Sequence, residues 1–231
     1  MNPVEETLKR FLSLRSGQET FLEHEVKGLL RELGLPVPHG RFVPTGAPLP
    51  EKLDFPWPVV AKVASGRIAA KSDVGGVRTG IRSRGELKRA VAQLGGISGA
   101  EGVLLEEEAP PGLEVIVGGT VDPQFGPVVM FGLGGFFVEL FRDVAFALAP
   151  TTRKEALRLV ERTNGSRLLS GFRGRPPVDR QALAGVIVTV SELIASELVA
   201  EVDLNPVVLY PSGVLVLDAK LVVVKGRAWG K

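Results

Sequence analysis

The 231-residue chain contains no cysteine. Disulfides, thiolate nucleophiles and cysteine-based zinc sites are thereby excluded, and the composition suits a cytoplasmic protein. Aromatic residues make up only 6%, too few for a platform on which single-stranded bases stack. A surplus of one charge sign is missing as well. Lys and Arg total 28 against 26 Asp and Glu, so the balance holds no basic footprint for nucleic acid. Long apolar runs are absent too. Residues 181–191 carry no charge, but Glu192 ends that run well short of the ~18–20 residues of a membrane span. The uncharged stretch 123–138 is broken by glycines and prolines. The first fifteen residues are charged throughout, unlike a secretory signal. No membrane and no nucleic-acid partner is therefore expected.

What is present is 45% hydrophobic composition, enough for a sizeable core in one large domain or two small lobes. Phe21, Leu22, Val26, Leu29 and Leu30 recur at helical spacing and predict a helix over 19–33, stopped at Gly34. Pro58 to Val63 predicts a short buried strand, and residues 64–76 a polar loop with glycines. Ser83 with Glu86 predicts a capping box that opens a helix to about Leu94. Strands are expected at Gly102–Leu105, Leu113–Val117 and Pro127–Phe131, with a tight glycine loop over Phe131–Gly135. Thr152 with Glu155 caps a helix to about Arg162, and residues 179–198 form an amphipathic one. Strands and helices mix without strict alternation, which predicts an α+β fold. The expected lobes are 22–106 and 107–225, after an N-terminal segment 1–21.

The last two strands, 202–210 and 213–224, carry the most chemistry. Tyr210-Pro211-Ser212-Gly213 fits a type I turn that sets Tyr210 opposite Gly213. Counting back, Asn205 faces Asp218 and Asp203 faces Lys220. One face then holds Leu204, Val208, Tyr210, Leu215, Leu217 and Ala219 as core. The other ends in Asp203, Asn205, Asp218 and Lys220. An amide oxygen facing a carboxylate suits Mg²⁺, which takes hard oxygen ligands. The plainer reading of the same four groups is an exposed Asp203–Lys220 ion pair with polar neighbours, which contributes little.

Several stretches taken together resemble the β subunit of ADP-forming acetate–CoA ligase, kin to the β subunit of succinyl-CoA synthetase. They are FLEHEVKGLLRELGLPVP from Phe21, PVVAKV from Pro58, KSDVGGV from Lys71, GLEVIVG from Gly112, DPQFGPVVMFGLGG from Asp122, LLSGFRGRPP from Leu168, VDLNPV from Val202 and LDAK from Leu217. The resemblance implies an ATP-grasp fold, two α+β lobes with ATP or ADP between them. It implies Lys62 as the strand lysine that reaches the phosphates, and Lys71, Gly75 and Gly76 as a loop covering them. Glu106 is the implied hinge residue near the adenine, Glu114 the nucleotide-contacting acid of the next strand, and Asn205 and Asp218 the Mg²⁺ ligands. A snorkelling lysine, a solvated acidic run and an ordinary turn are the plainer readings of the same residues.

The CoA-binding and ligase domains of such enzymes lie outside this kind of subunit, so the resemblance also implies an α-subunit partner. Two positions depart from it. Ala70 stands where these ligases carry a histidine that relays phosphate, and Ala147 where arginine is usual. His24 and His39, the only histidines, match no relay position and read as structural. Two functions remain: a phosphate-transferring subunit of an acyl-CoA synthetase, or a catalytically degenerate subunit that binds nucleotide and regulates a ligase or acyltransferase.

Overall fold

The computed structural model describes residues 2–15, 17–68, 71–134, 143–172, 174 and 176–224. The chain divides into two compact units. One comprises Leu22–Glu25 and Pro38–Pro110, the other Met1–Phe21, Val26–Val37 and Pro111–Lys231. Residues 26–37 thus pack with the C-terminal unit, not with the strands that follow them. Among the described residues no helix is long and apolar enough to cross a membrane.

The smaller unit is an antiparallel sheet in the order β1-β4-β2-β3, from β1 (Gly40–Pro44), β2 (Val59–Ala64), β3 (Val77–Ile81) and β4 (Gly102–Glu107). The inner strands β2 and β4 read as near-continuous apolar runs because both their faces are covered. One face packs against α3 (Arg84–Gly95): Val59, Ala61, Val103 and Leu105 meet Leu87, Ala90 and Leu94. Ser83 caps α3 as expected, accepting from the Glu86 N–H at 3.3 Å. The Glu86 carboxylate in turn accepts from the Arg82 N–H at 2.8 Å.

The larger unit is a second antiparallel sheet in the order β10-β8-β5-β6-β7, with β9 paired to β8. Its strands are β5 (Leu113–Asp122), β6 (Gly126–Leu133), β7 (Val144–Leu148), β8 (Val199–Leu209), β9 (Val214–Val216) and β10 (Ala219–Val223). Strand β6 runs through Leu133, into the stretch expected as a glycine loop; Gly134 then donates to the Glu114 carbonyl at 2.8 Å. Gly135 lies outside the described residues.

Leu183, Val186, Ile187, Val190, Leu193 and Ile194 are fully buried on α6 (Arg180–Ala195), which lies on this sheet. The Thr152–Glu155 capping box opens α4 (Arg153–Glu161) as expected, and a short α5 spans Ser166–Leu169. The N-terminal segment, where sequence suggested no element, forms α1 (Pro3–Ser13), capped by Asn2. Leu8, Phe11 and Leu12 face the core while Glu5 and Lys9 pair outside at 2.6 Å. Charge on the outer face of an amphipathic helix had hidden its apolar stripe. The next helix, α2 (Glu23–Glu32), is shorter than expected because Thr20 bridges Val222 in the sheet.

Candidate functional site

Strand alternation explains the first cluster. Lys62 pairs with Leu104 and Val60 with Glu106, so Lys62 and Glu106 share one face of the small sheet, diagonally related and opposite the face that packs on α3. Lys62 Nζ lies 2.8 Å from Glu106 Oε2. It also lies 2.9 Å from Oε1 of Glu23, in the first turn of α2, whose other oxygen is 2.9 Å from Lys71 Nζ. Lys62, Glu106 and Glu23 are 8%, 2% and 5% exposed, too buried for a loose surface salt bridge. Charges so enclosed survive only when compensated, as these two ammoniums and two carboxylates are.

The glycines bring Lys71 there. Gly76 returns the loop onto β2: its carbonyl accepts from the Val63 N–H at 2.7 Å, and its N–H donates to the Lys71 carbonyl at 2.7 Å. A Cβ on Gly76 would lie 2.5 Å from Val63 and 2.8 Å from that carbonyl, so no other residue allows this approach. Gly75 adopts φ +62° and donates to the Ser72 carbonyl at 3.1 Å. Both glycine N–H groups are therefore engaged within the loop. Their contribution is steric, and side chains supply the positive charge.

The three consecutive glutamates are not a solvated run. Glu106 joins Lys62, Glu107 accepts from the His39 N–H at 3.0 Å, and Glu108 accepts from the Gly80 N–H at 2.9 Å. The His24 ring stacks on Phe42 at 4.2 Å, in keeping with a structural histidine. Ala70 lies outside the described residues.

The other candidates belong to the larger unit. The hairpin register is as counted: Tyr210 donates to the Gly213 carbonyl, Asn205 donates to the Asp218 carbonyl at 3.2 Å, and Lys220 pairs with Asp203. The expected core face is correct for only part of its length. Against β5, Val115 pairs with Val207 and Val117 with Leu204, so β8 carries one extra residue at Asn205–Pro206. A bulge reverses the alternation beyond it. Val202, Leu204 and Ala219 join the main core on one side of it, then Val207, Leu209, Val214 and Val216 on the other; Val208 and Leu215 do not. Although Asp203 is its register partner, the Lys220 ammonium forms its ion pair with Glu201, at 2.9 Å.

Asn205 and Asp218 thus sit opposite each other in the irregular step, Asn205 exposed and Asp218 half-buried. Asp218 Oδ1 accepts from the Ala219 N–H at 2.8 Å. Sequence reasoning missed Lys27, which is 2% exposed and donates to the Leu217 carbonyl at 2.7 Å, next to Asp218. It also missed Glu23, whose only local signal is its place in a helix's first turn. Among the described residues no group of three or more His, Asp or Glu forms a metal-binding cluster, so a metal reading rests on the Asn205–Asp218 pair. Glu114 stands exposed near the start of β5, paired with Val208. Ala147 lines a groove of about 520 Å³ beside Phe146, Arg158 and Arg162.

The sequence profile of the ATP-grasp domain matches residues 13–223. The chain belongs to the ATP-grasp family. It is 38% identical over 217 residues to acetate–CoA ligase [ADP-forming] I subunit beta of Pyrococcus furiosus, covering 87% of this ATP-grasp chain and 91% of that subunit. It is 41% identical over 203 residues to acetate–CoA ligase [ADP-forming] II of Archaeoglobus fulgidus, covering 87% of this chain but 30% of that longer protein. A solved chain of dinucleotide-forming acetyl-coenzyme A synthetase 1 from Ca. Korarchaeum cryptofilum, in complex with coenzyme A and Ca-AMPCP, superposes with TM-score 0.83 at 37% identity, over 95% of this chain and 100% of that one. Another structure of that enzyme holds Mg-AMPPCP, with its phosphohistidine segment pointing towards the nucleotide binding site; the TM-score is 0.77 at 38% identity, over 96% and 100% of the two chains. The expected α+β ATP-grasp architecture is thereby established.

Proposed function

We propose that this chain is the nucleotide-binding subunit of an ADP-forming acyl-CoA synthetase. It holds Mg-ATP and passes the γ-phosphate to a histidine of a CoA-binding α subunit. The observation that carries the reading is the convergence of Lys62 and Lys71 on one carboxylate. Two ammoniums aimed at a single anion provide the charge that phosphate oxygens require. Gly75 and Gly76 shape the loop that delivers Lys71, while Glu106 holds Lys62 and lies at the end of β4 as the hinge acid. Glu114 is assigned to the nucleotide. Asn205 and Asp218 offer the hard oxygen donors that suit Mg²⁺. When bound, that ion offsets phosphate charge.

The lysines orient the phosphate chain, and a buried setting strengthens their attraction. Transfer itself needs an imidazole from outside the chain, since Ala70 cannot accept phosphate. Incubated with γ-labelled ATP, the chain alone should acquire no acid-labile label, and label should appear on the partner's histidine once the α subunit is added. Label on His24 or His39 would overturn their structural assignment. The regulatory reading draws on Ala70 and on Ala147, which brings no guanidinium to its groove. Label on neither chain, with ATP still bound, would favour it.

A further inference from the structure

Lys62 and Lys71 share Glu23, the carboxylate on which the nucleotide-binding reading sees them converge but to which it gives no role with ATP. Its carboxylate is 5% exposed, with one oxygen 2.9 Å from Lys62 Nζ and the other 2.9 Å from Lys71 Nζ. A carboxylate bridging two ammoniums has the form of an anion seat that is already filled. Among the described ion pairs, Lys62 and Lys71 face two carboxylates, Glu23 and Glu106. Carboxylates so placed offset the attraction of the lysines for a polyphosphate. Phosphate gains both ammoniums only by taking them from a carboxylate. Glu106 stands on inner strand β4 in fixed register beside Lys62, whereas Glu23 is held at a helix terminus and is the carboxylate that joins both lysines.

We propose that Glu23 is a built-in competitor for the phosphate seat. It occupies the ammonium pair when no nucleotide is bound, is displaced by the phosphates, and returns to speed their release. The inference rests on the nucleotide-binding reading above and assigns to that site the group that limits its affinity. The sign of one effect separates it from a merely structural carboxylate. Removing a structural Glu23 would loosen the lysines and weaken anion binding. Removing a competitor strengthens it.

Glu23→Gln keeps the shape and deletes the charge. Isothermal titration of the full chain should find inorganic tripolyphosphate and Mg-ATP bound about tenfold more tightly than by the wild type, the scale of one charge-assisted hydrogen bond. Adenosine affinity should not change. Equal or weaker tripolyphosphate binding by folded Glu23→Gln overturns the proposal. If circular dichroism finds that variant unfolded, Glu23→Asp carries the test, because it keeps the charge but withdraws the carboxylate by one methylene. A smaller gain is then expected, and no gain overturns the proposal. Lys71→Met should abolish the gain made by Glu23→Gln; a gain that survives it is equally fatal. The nucleotide reading fails separately. If Glu23→Gln gains tripolyphosphate while Mg-ATP is bound no better than tripolyphosphate by either protein, the competitor stands and the adenine site falls. Binding of neither ligand by any variant overturns both.

Discussion

Lys62→Met tests whether the buried cluster is held by charge compensation. Methionine is unbranched and adaptable, so it fills most of the space of the lysine stem and packing changes little. What is lost is an ammonium 2.9 Å from Glu23 and 2.8 Å from Glu106, among side chains that are 10%, 3% and 3% exposed. Removing one partner of a buried pair costs ~3–5 kcal/mol, because a charge is left uncompensated. Here Lys71 remains 2.9 Å from Glu23, so one of the two carboxylates keeps a cation and the lower end, ~3 kcal/mol, applies. For a chain of this size that corresponds to a Tm lower by roughly 6–12 °C. Urea and thermal unfolding followed by circular dichroism at pH 7 measure it. Adding Glu106→Gln removes one of the two carboxylate charges that Lys62 had offset, and the double variant should regain part of the loss. A single variant within ~1 kcal/mol of wild type, or a double variant no more stable than the single, would refute the reasoning.

Asp218→Asn and Asn205→Ala should each reduce the Mg²⁺ dependence of ATP binding while leaving metal-free binding nearly unchanged in calorimetry; a metal effect surviving in both variants would leave the hairpin a purely structural element. Asp179 has its pKa lowered, first by the Ala182 N–H and then by the Gly213 and Gln181 N–H groups. A depressed pKa contributes stability that is present above the unfolded value and lost as pH falls through the folded one. Wild type should therefore lose more stability than Asp179→Asn below about pH 4, and parallel acid-unfolding curves would count against this cap. Leu12→Ala on α1, at 1% exposure, should destabilise the chain by ~2–5 kcal/mol in urea unfolding. A loss below ~1 kcal/mol would mean that α1 is only loosely docked.

The sequence by itself determined the features that depend on near neighbours. The Thr152–Glu155 box, the Ser83 cap, the stop at Gly34 and the pairing of Asn205 with Asp218 each follow from residues a few positions apart, or from a turn that counts register outward. Fixed short-range geometry makes such features readable. The order of the matching stretches carried the α+β ATP-grasp fold. Tertiary structure decided the rest. The extra residue at Asn205–Pro206 exists only relative to β5, so which face of β8 meets the core beyond it could not be counted from the hairpin alone. The stripe of α1 needed α6 beside it to be distinguished from a charged tail. Lys62, Lys71, Glu23 and Glu106 come from a strand, a loop, a helix terminus and another strand, and only the folded small sheet brings them within ion-pair distance. No local pattern encodes a meeting of that kind, because the sheet faces and the close approach at Gly76 that create it are properties of the packed chain.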